Sequence, residues 1–69
     1  MNKDKILNDL AVTKANWIHN TDSEKLNAIR IAVVELSNAN YRNEVKAEDN
    51  IAVLDVINDM MKLYIGWED

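Results

Sequence analysis

The 69-residue chain has no cysteine, no proline and a single glycine, Gly66. Without cysteine there is neither a disulfide nor a thiolate metal site. Without proline, and with one glycine, the chain has few residues for tight hairpin turns and few breaks for strands. A lone glycine also rules out a glycine-rich phosphate loop. No stretch approaches the roughly 18 consecutive apolar residues of a membrane span. The opening MNKDKILNDL interleaves charges with apolar residues, so it lacks the unbroken apolar core of a secretory signal. These absences lead to the expectation of a cytoplasmic protein with no membrane partner.

What remains is a composition rich in Ala, Leu, Lys, Glu and Asn, which favours helix. Hydrophobic residues make up 48% of the chain and charged residues 29%, with a net charge of −4. The charge is uneven. Residues 1–34 carry five basic and four acidic side chains, and residues 35–69 three basic and eight acidic. An acidic half disfavours nucleic acid, whose phosphates call for basic partners. It is compatible with a basic protein surface, although a solvated acidic face that aids solubility is the commoner meaning.

Three helical segments follow from the apolar spacing. In residues 2–19, Ile6, Leu7, Leu10, Ala11, Trp17 and Ile18 recur at three- and four-residue steps. Thr21-Asp22-Ser23-Glu24 then has the spacing of a capping box. A fresh cap so soon after a helix end makes an antiparallel hairpin. In residues 22–40, Leu26, Ile29, Val33 and Leu36 form the core stripe, with Ala32 and Ala39 beside it. The third helix covers residues 48–65, and its apolar arc is wider than one core-facing stripe needs. Lys62 in its last turn and Gly66 as a left-handed cap write its end, with Trp67 placed to fold back.

The segment SNANYRNEVKAED leaves the second boundary open. Either the second helix breaks near Asn38 to Asn43, with Asn43 capping a third helix from Glu44, or it runs to Val45 and breaks at Lys46 to Asp49. The fold class is all-α in both cases: a helical hairpin plus a third helix, forming a three-helix bundle in a single domain, 1–69. A chain this short buries only about 60% of its unfolded surface, and small domains often add oligomerisation to compensate. Leftover apolar faces therefore predict a homodimer.

The second helix carries a second apolar line. Ile31 and Val34 lie away from its core stripe, and Asn38, Tyr41 and Val45 extend the same line. Ile31, Val34, Asn38, Tyr41 and Trp67 are the candidate partner-binding residues, because aromatics beside Asn and Arg are common interface anchors.

Catalytic chemistry finds no constellation. His19, the one histidine, has only Asp22 as a local carboxylate, and a helix C-terminus explains it. Asp55 and Asp59 share a helix face, but on a wet edge beside Lys62 they lack the pocket that shifts a carboxyl pKa. Ser23 is a cap, and Ser37 has no base in reach. The sequence therefore predicts no enzyme, no cofactor, no metal and no small-molecule substrate.

In size and acidic helical composition the chain resembles the small proteins of phages and other mobile elements, many of which bind and block one host protein. That resemblance implies an inhibitor or regulator acting by contact with another protein, and it assigns no residue roles. Two alternatives stand beside it. One is a structural self-assembling subunit. The other is a small DNA-binding transcriptional regulator, which the third helix serves poorly with one lysine, Lys62, against Asp55 and Asp59. An acidic mimic of nucleic acid would need its carboxylates along one face.

Overall fold

The computed structural model describes residues 2–66. Helix α1 spans Lys3–Ala15, a 3₁₀ turn follows at Trp17–His19, α2 spans Asp22–Tyr41, and α3 spans Ala47–Ile65. The three helices pack pairwise on one another, so the chain is an all-α three-helix bundle. Trp67 lies outside the described residues.

Each boundary has a local cause. Asn2 opens α1, its side-chain oxygen accepting the Lys5 N–H at 3.1 Å. Asn16 closes it by turning both its backbone N–H and its side-chain amide onto the Val12 carbonyl. The helix predicted for residues 2–19 therefore stops four residues early. The 3₁₀ turn that replaces its end swings Ile18 outward, leaving it 86% exposed instead of in the core stripe. Asn20 ties the turn back by donating to the Thr13 carbonyl at 3.2 Å.

The capping box at the start of α2 is complete. The Thr21 hydroxyl accepts the Glu24 N–H at 3.2 Å, and Glu24 Oε1 accepts the Thr21 N–H at 3.1 Å. At the same corner the Lys25 ammonium sits 4.9 Å from the centre of the Trp17 ring, a cation–π contact. Trp17 packs against the core as expected, and it is only partly buried.

Helix α2 ends inside the first of the two stretches left open, Asn38 to Asn43, and α3 starts inside the second, Lys46 to Asp49. Helix α2 ends at Tyr41, and Asn43 takes a left-handed conformation, φ 58°. The Glu44 N–H donates to the Ala39 carbonyl at 2.9 Å and the Asn43 N–H to the Asn40 carbonyl at 3.0 Å. This pair of bonds is a Schellman motif. Asn43 thus ends α2 and does not start α3, which begins at Ala47 behind Lys46. Asparagine tolerates φ > 0 better than other non-glycine residues, which is why it can do this. At the far end Gly66 closes α3 at φ 71°, its N–H reaching the Leu63 and Lys62 carbonyls.

The core is built from Ile6 and Leu10 of α1, Ile29, Ala32 and Leu36 of α2, and Val53, Ile57 and Met60 of α3. Leu10, Val53 and Met60 are the largest fully buried side chains, each worth roughly 1.5–3 kcal/mol of apolar transfer. No described polar or charged residue is buried. Lys3 and Asp49 pair at 3.2 Å, which sets the starts of α1 and α3 side by side. The chain therefore runs up, down and up.

Two readings of the α2 stripe are corrected here. Leu26 and Val33, expected in the core, are 40% and 41% exposed, while Ala32 and Ala39 are buried at 3% and 4%. The core side of α2 faces the groove between both neighbours, and there the small alanines allow close helix approach. Ile29 and Leu36 are buried beside them, and Leu26 and Val33 are turned to the rim.

Candidate interaction surface

Helix α2 lies between two grooves of opposite character. On one side, α1 and α2 enclose a groove of about 360 Å³. Its floor is Ile6, Leu10 and Ala32, and Ile31 forms part of its wall. Asp9, Glu24 and Glu35 stand around it, with the amides of Asn20 and Asn27. On the other side, α2 and α3 form a shallower groove lined by Val33, Leu36, Ser37, Asn40, Asn50 and Leu54. None of those six side chains is charged.

The acidic groove is not bare carboxylate. Lys5 donates to Asp9 at 3.1 Å. That hydrogen bond, then the charge of Asp9 and that of Glu35, raises the Lys5 pKa above the ordinary lysine value. Glu24 is held below the usual carboxylate range, first by the hydrogen bond from the Thr21 backbone N–H. No three His, Cys, Asp or Glu among the described residues come together as a metal site. No helix among the described residues is long and apolar enough to cross a membrane.

The uncharged groove is closed at one end by an amide pair. Asn40 Nδ2 donates to Asn50 Oδ1 at 2.6 Å, and Asn50 Nδ2 donates back to Asn40 Oδ1 at 2.7 Å. Asn40 Nδ2 also reaches the Leu36 carbonyl at 2.8 Å. The pair joins the last turn of α2 to the first turn of α3.

Ile31, Val34, Asn38 and Tyr41 step by three and four residues along the outward ridge of α2, and all four are exposed. Tyr41 is bare at 91% exposure. They do not share one concavity. Ile31 leans on the acidic groove, and Asn38 borders a hollow with Asn2 and Arg42 near the end of α2. Val34 and Tyr41 line neither of the two grooves beside α2. Val33, expected in the core stripe, lines the uncharged groove instead, together with Leu54 of the wide α3 arc. Helix α3 leaves Ile51, Leu54, Leu63 and Ile65 exposed as well, and the excess width of its apolar arc was the signal for this. His19, Asp55 and Asp59 are exposed and stand apart from both grooves.

Comparison with protein-family models, with curated proteins and with solved structures finds no match to this chain.

Proposed function

We propose that this chain is a small non-enzymatic protein–protein interaction module, a regulator or inhibitor that occludes a partner protein. The observation that carries this reading is Ile31. It is 44% exposed beside a groove with an apolar floor, ringed by Asp9, Glu24 and Glu35. An apolar floor with a carboxylate rim suits a basic, amphipathic segment of another protein. The stem of a lysine or arginine packs on the floor while its head meets the carboxylates. Val34, Asn38 and Tyr41 continue the contact along the outward ridge of α2. The acidic balance of the chain favours a basic partner surface through long-range attraction.

The test is affinity capture from a native-source lysate with three baits: the wild-type chain, Ile31→Asp and Glu35→Lys. The expected result is one stoichiometric protein captured by the wild type, lost with both variants and released by salt. Recovery of only the chain itself would sink the occlusion reading and favour a self-assembling structural subunit. Capture of nucleic acid in place of protein would favour the regulator that binds DNA.

A further inference from the structure

The acidic groove leaves the opposite side of α2 unexplained. There Val33 is 41% and Leu54 50% exposed, in a groove whose lining carries no charge at all. A separate hollow further along α2, lined by Leu26 and Ile29, carries Glu24 and Arg30 and lies outside this uncharged groove. In a chain with 29% charged residues and a net charge of −4, an uncharged strip beside exposed Leu and Val is a specific feature.

We infer that the α2–α3 groove is the interface of a two-fold homodimer, each copy covering the other's Val33 and Leu54. Charge decides which groove a second copy can use. Two copies at −4 each repel, and they can pair closely only where no carboxylate is buried against another. The α2–α3 groove meets that condition. The α1–α2 groove, with Asp9, Glu24 and Glu35, does not.

Area agrees. Helices α2 and α3 are 20 and 19 residues long, so each is about 30 Å in length and about 10 Å across. Side by side they offer roughly 600 Å² in projection, and more once surface relief is counted. A standard interface takes about 800 Å² from each partner. The folded chain exposes 4949 Å² at 7.9 kDa, against about 4400 Å² for a monomeric protein of that mass. The surplus fits surface that a second copy covers.

The polar groups in the groove do not oppose its burial. Asn40 and Asn50 already satisfy each other, so covering them strands less hydrogen-bonding capacity than covering free amides. Ser37 can rotate its hydroxyl to a partner.

This pairing is independent of the partner reading above, because it uses the opposite side of α2. Sedimentation equilibrium of the full chain over a concentration series tests it, with helicity followed by circular dichroism. The expected mass is twice the chain's. Val33→Asp and Leu54→Asp, which put carboxylates into the uncharged groove, weaken self-association by about a hundredfold or more. Ile31→Asp, in the other groove, leaves it unchanged. Should Val33→Asp lose its helicity, Ser37→Glu carries the same test from a position that is already polar and exposed. A wild-type chain that stays monomeric at every concentration overturns the inference. So does a dimer that survives Ser37→Glu and Leu54→Asp, or one that Ile31→Asp alone dissociates.

Discussion

Asn40 and Asn50 hold each other by two amide hydrogen bonds, 2.6 and 2.7 Å long, across the junction of α2 and α3. The two residues are ten apart in sequence, so their pairing fixes how the second helix hands over to the third. A neutral amide pair also keeps charge out of the α2–α3 groove. Each such bond contributes about 0.5–1.5 kcal/mol net.

The amide pair makes a double-mutant cycle informative. Asn50→Ala is expected to lower unfolding free energy by about 1 kcal/mol. Asn40→Ala should lower it further, because Asn40 also donates to the Leu36 carbonyl. The double variant should cost less than the two singles added together. Urea unfolding of the four proteins measures this, and strict additivity would show that the pair is not coupled.

The capping box should be visible in the pH dependence of stability. The folded Glu24 pKa is depressed by the Thr21 N–H, so its stabilising contribution is present above the ordinary carboxylate range. It is lost as pH falls through the lowered folded value. Glu24→Gln keeps an accepting oxygen but not the charge. Wild type should exceed Glu24→Gln in melting temperature near pH 7, and the gap should close as the pH is taken below that range. Thr21→Ala, which removes the hydroxyl half of the box, should cost about 1 kcal/mol at pH 7.

The left-handed Asn43 gives a backbone test. At φ 58° a β-branched residue is strained, so Asn43→Val should destabilise by about 1–2 kcal/mol. Asn43→Gly should be neutral or slightly stabilising, since glycine takes this conformation without steric cost. Thermal unfolding of both variants decides it. If valine were tolerated as well as glycine, the Schellman ending of α2 would be wrong.

The buried alanine of α2 separates a close-packed core from a loose one. Ala32 is 3% exposed, so Ala32→Leu should cost about 1–3 kcal/mol by overpacking. Ala11→Leu, on the exposed side of α1, should stay within about 0.5 kcal/mol. Leu10→Ala should cost about 2–5 kcal/mol. That is a large share of the roughly 3–10 kcal/mol expected for a 69-residue domain. Denaturant midpoints of the three variants rank them.

Much of the architecture was legible in local chemistry. Thr21 and Glu24 wrote the start of α2, and Gly66 wrote the end of α3, because caps are short-range hydrogen-bond patterns between residues a few positions apart. The end of α1 was harder. Asn16 and the 3₁₀ turn stop the helix before Trp17 and Ile18, although the apolar spacing runs on through them. Asn43 marks one of two breaks the sequence leaves open, and there as the start of the third helix; that it ends α2 instead depends on a backbone torsion that residue identity does not fix. Of the candidate contact residues, Ile31, Val34, Asn38 and Tyr41 were placed together by spacing alone, and they do line one ridge.

By itself the sequence determined an all-helical chain, three segments, the capped start of α2 and the glycine end of α3, because propensity, capping and periodicity act within a few residues. Only the tertiary structure decided which apolar residues go inside. Ala32 and Ala39 took the core side of α2, and Leu26 and Val33 were left at the rim. The reason is geometric. A helix wedged between two neighbours buries one line of side chains, here Ile29, Ala32, Leu36 and Ala39, and the apolar residues flanking that line stay at the edge. The same rotation set an acidic groove on one side of α2 and an uncharged one on the other, a division that no single helix wheel contains.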